Sequence, residues 1–198
     1  MKHPDGLKWN KRYSEQGQQW LGNSPRQLLL DFLPQLPTAG LVLDAAAGVG
    51  VNGLVLAQRG LHVVALDISE VGLRLAQQQA LARGLQLEAA IYDLAQPHFP
   101  ANSFDVILNF RFLERATFAA YRRAIKPGGW LLFETFIHTS TIGSDAGYYL
   151  LPGELAAAFA DFEIIYSVEK TAVSGHSERA KPVARLVVRK PAALSNNA

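Results

Sequence analysis

Three acidic residues and one glycine-rich stretch have the side chains and spacing that suggest cofactor chemistry in this 198-residue chain. Asp44 comes just before a run of small residues that contains Gly48 and Gly50, and Asp67 and Asp93 follow at the ends of two later apolar segments. The carboxyl ends of parallel strands form the ligand-binding edge of open α/β sheets. We therefore expect the three carboxylates to face one shared site.

The charge of these residues favours one kind of ligand. A carboxylate at Asp44 repels a pyrophosphate and attracts an ammonium group, so the loop matches a cofactor with a cationic amino-acid tail. A carboxylate at Asp67 can accept hydrogen bonds from both hydroxyls of a ribose. Asp93 would be within reach of an adenine amino group if the base lies along the strand ends.

Two alternatives remain open at this stage. Gly48-x-Gly50-x-x-Gly53 matches the literal dinucleotide-binding pattern, which with Asp67 would suit an NAD(P)-dependent oxidoreductase. In such sites the glycines follow the strand directly, whereas Asp44 stands four residues before the first glycine here. A module that binds its cofactor without catalysis is the other alternative, because a fold and a pocket do not prove turnover.

The segments around these acids predict an α/β fold. Strand-like and helix-like segments alternate from residue 41 onward, which predicts crossover connections and a mostly parallel, doubly wound, seven-stranded sheet. No helical pattern separates the last two strand-like segments, 162–168 and 183–188, so we expect an antiparallel last strand. We predict a single domain over 1–198, with a helical N-terminal cap over 1–40, a core over 41–190 and a frayed tail over 191–198.

Composition excludes several other classes of protein. Hydrophobic residues make up 49% and charged residues 18% of the chain, which is unlike a disordered protein. The lack of cysteine excludes disulfide scaffolds and thiol nucleophiles, and the five histidines show no metal-ligand spacing. A net charge of +2 and the lack of a long apolar run favour neither nucleic acid nor a membrane as partner. The expectation is a cytoplasmic protein, monomeric or homodimeric, without a metal.

Over residues 9–190 the chain resembles the class I S-adenosylmethionine-dependent methyltransferases. The family's D/E-x-G-x-G-x-G loop is similar to Asp44-x-Ala46-x-Gly48-x-Gly50, with Ala46 in place of the first glycine. The resemblance implies a Rossmann-like methyltransferase fold with S-adenosylmethionine as cofactor and S-adenosylhomocysteine as product. It also implies a set of cofactor-binding residues, namely Asp44, Ala45, Ala46, Gly48, Gly50, Asp67, Ile68, Asp93, Leu94, Asn109 and Phe110.

Further segments resemble the small tellurite-resistance type of bacterial methyltransferase. They are Trp9-Asn10-x-Arg12-Tyr13, Arg111-Phe112-Leu113, Glu134-Thr135-Phe136, Leu150-Leu151-Pro152-Gly153-Glu154-Leu155 and Ala184-Arg185-Leu186-Val187-Val188-Arg189-Lys190. This narrower resemblance does not identify the methyl acceptor.

The implied reaction is an in-line displacement, for which alignment matters more than acid or base catalysis. A small molecule is the expected acceptor. Candidate catalytic residues are Arg111, His138 and His176, and candidate residues of a lid or substrate loop are Trp9, Arg12, Tyr13, Trp20, Tyr148 and Tyr149. The aromatic residues near the N-terminus could instead attach a helix to the sheet, and both histidines could be surface or capping residues.

Overall fold

A computed structural model describes residues 3–138, 146–174 and 177–192. The strands are β1 (Leu41–Ala45), β2 (His62–Asp67), β3 (Leu87–Ile91), β4 (Phe104–Phe110), β5 (Ile125–Phe136), β6 (Glu163–Ser174) and β7 (Ser177–Arg189). The helices are α1 (Pro4–Leu21), α2 (Gln27–Phe32), α3 (Val51–Gln58), α4 (Glu70–Ala82), α5 (Ala116–Ala124) and α6 (Glu154–Ala158), and short 3₁₀ turns cover Leu33–Gln35 and Ala146–Tyr148.

The seven strands form one sheet in the order β3-β2-β1-β4-β5-β7-β6. Strands β1 to β5 pair in parallel, and β7 runs antiparallel to both β5 and β6. This arrangement confirms the α/β class and the antiparallel last strand. The strands β1 and β4 lie side by side at the centre of the sheet. Because β1 runs parallel to both β2 and β4, all three strands end at the same edge.

Each face of the sheet carries its own hydrophobic core. Alternate residues of a strand point to opposite faces, so Leu43, Ile107 and Phe133 pack into one core. Val42, Leu108 and Leu132 pack into the other. The strands are therefore held on both sides, which fixes the positions of the side chains at their carboxyl ends.

Several element boundaries differ from the expected ones. The apolar segment 130–136 predicts a strand that begins at residue 130, but β5 begins at Ile125, because Ile125 pairs with Phe104 before an irregularity shifts the register to Trp130 opposite Val106. Strand β3 begins at Leu87 and helix α3 at Val51, whereas the apolar pattern suggested residues 85 and 54. The division into cap, core and tail remains a prediction, and residues 193–198 lie outside the described part.

The helices of the described ranges include none that combines the length and apolarity needed to cross a bilayer.

Candidate active site

The loop between β1 and α3 is held in a tight turn beside a buried acid. Ala46, Gly48 and Gly50 all have positive φ angles, of 54°, 56° and 75°. Asp44 is 2% exposed, and its Oδ2 accepts a hydrogen bond from the Gly53 amide at 2.9 Å. A Cβ on Gly53 would lie 2.7 Å from that oxygen, so glycine at this position permits the close approach. The last glycine of the G-x-G-x-x-G pattern therefore serves helix–strand packing.

Asp67 holds the other side of the same loop. Its Oδ2 accepts from the Gly48 amide at 2.7 Å, and its Oδ1 accepts from the Ser69 amide at 2.8 Å. Ala45 and Leu66 are paired in neighbouring parallel strands, so Asp44 and Asp67 lie at one edge. Each carboxylate oxygen has a second lone pair, which leaves Asp67 able to accept further hydrogen bonds from hydroxyl groups.

The environment of the two acids favours the binding of a cation. Burial raises the pKa of Asp44 to about 7, the Gly53 amide opposes this shift, and nearby Asp67 adds to it. Burial also raises the pKa of Asp67 against the backbone amides that bind it. A positively charged group beside these carboxyls would favour their ionised forms. The two acceptors therefore fit a cofactor that carries an ammonium group and ribose hydroxyls as hydrogen-bond donors.

Helix α1 lies over the loop. Tyr13 is 7% exposed, and a Cβ on Gly48 would come within 2.5 Å of its hydroxyl oxygen. Burial raises the pKa of Tyr13, and the charge of Asp67 adds to this effect. Trp9 stacks on Tyr13 at 5.6 Å between ring centroids, Trp20 meets Tyr13 edge-on at 5.3 Å, and the Arg12 guanidinium lies over both indoles. The structure thus gathers all four expected lid residues of this helix.

The acid after β3 is in a different environment. The Asp93 side chain is 37% exposed, lies 3.9 Å from His3 and accepts from the Ala95 amide at 2.9 Å. The neighbouring Leu94 is buried in the core, whereas Ile68 lies beneath the start of α1, with its carbonyl 3.2 Å from where a Cβ on Gly6 would stand. Asp93 is therefore more open to solvent than Asp44 or Asp67.

The side chains at the end of β4 are occupied within the fold. Asn109 is fully buried, donates from Nδ2 to the Phe112 carbonyl at 2.9 Å and accepts from the Tyr121 hydroxyl at 2.9 Å. Phe110 packs into the core on the α2 and α3 side of the sheet. Only the backbone of these two residues can face a cofactor.

A charged cluster follows β4. We call Arg26, Arg111, Glu134 and Arg185 the arginine–glutamate cluster. Glu134 is fully buried, with Arg185 donating to its Oε2 at 2.5 Å and Arg111 Nε 3.0 Å from its Oε1. The Arg111 guanidinium also lies over Phe136, 4.6 Å from the ring centroid. The sequence did not single out Arg26 or assign a role to Arg185. The available signal was one charged residue within each of two apolar strand segments, at Glu134 and Arg185.

The remaining candidates divide into two groups. His138 and Phe136 both pack against Tyr149, each with 6.4 Å between ring centroids, so these residues extend the cluster along one rim. Tyr148 is 75% exposed and makes no contribution to that rim in this arrangement. His176 lies outside the described residues.

Residues 42–129 match the family model described as a methyltransferase domain. This segment is therefore similar to methyltransferase domains, which supports the resemblance of the chain to the class I S-adenosylmethionine-dependent methyltransferases. The expectations for the family and for the fold are thereby confirmed.

Curated relatives agree with this placement. The ubiquinone biosynthesis O-methyltransferase of Hahella chejuensis is 35% identical over 119 residues, which cover 54% of this chain and 49% of that protein. The chain spans about half the length of the curated relatives it matches. Their similarity therefore supports the methyltransferase domain and leaves the acceptor open.

Solved structures share the fold of the methyltransferase domain. A S-adenosylmethionine-dependent methyltransferase from Methanosarcina mazei superposes with a TM-score of 0.69 at 19% identity, covering 86% of this chain and all of that one. TehB from Haemophilus influenzae gives 0.77 at 18% identity, covering 92% of this chain and 67% of that one. At these identities the likeness concerns the fold.

Proposed function

We propose that this protein transfers a methyl group from S-adenosylmethionine to a small-molecule acceptor and releases S-adenosylhomocysteine. The observation that carries the proposal is the unit formed by Asp44, the glycine loop and Asp67, in which two buried carboxylates hold one loop at the carboxyl edge of adjacent strands. The Hahella relative, named for ubiquinone biosynthesis, supports a small-molecule acceptor here.

Each residue of this unit has a distinct role in the proposal. Asp44 faces the ammonium group of the cofactor, and the loop backbone holds its methionine moiety. Asp67 accepts from the ribose hydroxyls while it keeps Gly48 and Ser69 in place. Asp93 and the Leu94 amide bind the adenine at the more open end of the edge.

When bound beside Asp44 and Asp67, the cofactor would supply a sulfonium-activated methyl group, which the acceptor's nucleophilic atom would take while the electron pair of the carbon–sulfur bond stays on sulfur. An acceptor that carries a proton on its nucleophilic atom loses it to solvent or to a base such as His138. Tyr13 and its aromatic neighbours exclude water above the loop, and holding both reactants in line contributes on the order of 7–11 kcal/mol.

The alternatives predict different ligands. A dinucleotide oxidoreductase would place a pyrophosphate against the helix N-terminus beyond Asp44, where two buried carboxylates repel it. A module without turnover would bind S-adenosylhomocysteine and methylate nothing. Two measurements distinguish the three functions. One compares the affinities for NADH and for S-adenosylhomocysteine, and the other follows the release of S-adenosylhomocysteine with several classes of acceptor.

The proposal predicts that Asp67→Asn weakens binding of S-adenosylhomocysteine by roughly 10- to 100-fold, because hydrogen bonds to a charged group contribute about 1.5–3 kcal/mol. An asparagine keeps the size of the side chain but presents an NH₂ group to hydroxyl or amide donors. Titration calorimetry measures the effect, and wild-type protein is expected to prefer S-adenosylhomocysteine over NADH.

Glu88→Gln is the matched control, because this carboxylate is 74% exposed on β3 and its partner within the described residues is His62. It should leave the affinity unchanged, and circular dichroism checks that both variants fold. Equal affinity in Asp67→Asn and wild type would refute the ribose assignment, and a preference for NADH would refute the methyltransferase proposal.

A further inference from the structure

Arg111 occupies a costly position that the fold alone does not require. It directly follows β4 and has a φ of +60°, in the left-handed region that residues with a Cβ rarely adopt. Its side chain is only 12% exposed, and Nε and Nη1 are closed off from solvent with no hydrogen-bond acceptor among the described residues. Strain and unsatisfied polar groups of this kind concentrate at functional sites.

Glu134 attracts Arg111 without satisfying it. Arg111 Nε forms an ion pair with Glu134 Oε1 at 3.0 Å, and neither atom has a partner that meets strict hydrogen-bond geometry among the described residues. The other oxygen, Oε2, is taken by Arg185. A bond between β5 and β7 thus exists without Arg111, so a purely structural role would not need it.

Positive charge exceeds negative charge around this carboxylate. Burial lowers the pKa of Arg26, with Glu134 opposing and Arg185 reinforcing the shift, which places all three groups in one electrostatic neighbourhood. Burial lowers the pKa of Arg111 in the same way. Lys181 adds an ammonium group 5.1 Å from the Phe136 centroid. Two guanidinium groups therefore contact the Glu134 carboxylate, a third lies within its electrostatic influence, and the Lys181 ammonium lies beside Phe136.

The surplus charge lies where an acceptor has to bind. Arg111 follows the central strand β4, Glu134 and Phe136 end β5, and Arg185 lies opposite Glu134 in β7. Arg26 joins them through the segment before α2, where its amide donates to the Asn52 side chain at 2.9 Å. All of these residues lie at the edge that carries the cofactor unit.

We propose that Arg111 binds a negatively charged oxygen group of the methyl acceptor, a carboxylate or a phosphate, over Phe136. A guanidinium group carries planar N–H donors that pair with carboxylate or phosphate oxygens, and Arg26 and Arg185 raise the positive potential around Arg111. This inference rests on the proposed methyl transfer and narrows its acceptor to an organic anion.

The test compares acceptors that share a nucleophile and differ in charge. The pairs are 3-mercaptopropionate with 3-mercaptopropionamide, 4-hydroxybenzoate with 4-hydroxybenzamide, and O-phosphoethanolamine with ethanolamine. Release of S-adenosylhomocysteine gives kcat/KM for each, and the first two pairs report on carboxylates while the third reports on phosphate. For at least one pair, kcat/KM for the anion should be roughly 10- to 100-fold higher than for its neutral or uncharged-oxygen partner.

Arg111→Met should remove this preference, and Arg111→Lys should keep part of it, because lysine retains the charge without the planar N–H donors. Arg123→Met is the control, since this arginine is exposed on α5. Arg111→Met should lower the melting temperature of the free protein, because Glu134 loses a buried ionic partner while the strained backbone conformation stays. The ratio of kcat/KM within a pair separates acceptor binding from this structural effect, because a loss of stability alone would leave that ratio unchanged.

Every outcome decides between the proposals. Two results would overturn the anionic acceptor and leave the methyltransferase proposal standing, provided that S-adenosylhomocysteine binds normally. One is that the neutral acceptors are preferred, and the other is that Arg111→Met lowers kcat/KM equally for both members of a pair. If no pair reacts, melting of the S-adenosylhomocysteine-loaded protein is measured with each anion. The inference is likewise overturned if no anion gives a saturable rise in melting temperature that depends on Arg111. Failure to bind S-adenosylhomocysteine overturns the proposed function itself.

Discussion

Asp44 is the residue whose protonation depends most on what the loop holds. In the free protein it is buried, and its pKa of about 7 lies well above the ordinary value of 3.8. The folded protein therefore keeps a proton that the unfolded chain releases between about pH 4 and pH 7. Across that window the free energy of unfolding falls as pH rises, because the folded state binds more protons than the unfolded state.

Asp44→Asn should remove this dependence. Relative to the variant, the free energy of unfolding of wild-type protein is expected to fall by up to about 1.4 kcal/mol per pH unit as the pH rises from 4 to 7. Asparagine can still accept from the Gly53 amide, and Asp67 remains in both proteins, so the difference between the two isolates Asp44. Urea unfolding at several pH values measures it, and parallel curves for the two proteins would show that Asp44 is ionised throughout.

Helix α1 is the element whose attachment depends on a few specific contacts. Asn10 Oδ1 accepts from the Ser69 hydroxyl at 2.7 Å and from the Val71 amide at 3.1 Å. Ser69 is the N-cap of α4 and itself accepts from the Gly72 amide. One side chain of α1 thus binds the first turn of α4, next to the loop that Tyr13 covers.

Asn10→Ala is expected to lower the free energy of unfolding by about 0.5–2 kcal/mol, because it leaves groups of a helix N-terminus without their side-chain partner. The variant should also bind S-adenosylhomocysteine less tightly, since Tyr13 is then held less firmly over Gly48. Gln18→Ala, an exposed change on the same helix, is the control for denaturant unfolding and calorimetry. If both variants behave alike, Asn10 does not attach α1.

At the level of elements, local patterns predicted much of what the structure contains. Ser69 is a residue type that favours helix N-caps, and it caps α4. The acids at positions 44 and 67 were expected at strand ends and lie there. The predicted start of β5 was wrong. Ile125 pairs with Phe104 ahead of Lys126-Pro127-Gly128-Gly129, a sequence that is typical of a loop between elements.

At the scale of the whole molecule, the sequence could not show contacts between distant parts of the chain. Alternating strands and helices predict a parallel sheet, but nothing local indicates that β7 inserts between β5 and β6. The arginine–glutamate cluster depends on that insertion, because Arg185 meets Glu134 across 51 residues of chain. Asn109 was likewise expected at the cofactor, and only the packed structure shows that its side chain accepts a hydrogen bond from Tyr121 of α5.

The arrangement of the sheet assigns its two parts different tasks. Strands β1 and β2 with their loop form the proposed cofactor half, and β4, β5 and β7 form the proposed acceptor half. Both halves rest on the two cores that cover the faces of the sheet. The oligomeric state and the cytoplasmic location stay predictions.

A crystal structure of the complex with S-adenosylhomocysteine tests the central claim most directly. We expect the nucleoside to lie across the carboxyl ends of β1 and β2, with its ribose hydroxyls within hydrogen-bond distance of Asp67 and its amino group beside Asp44. A ligand bound elsewhere, or a ribose that contacts neither carboxylate, would contradict the account.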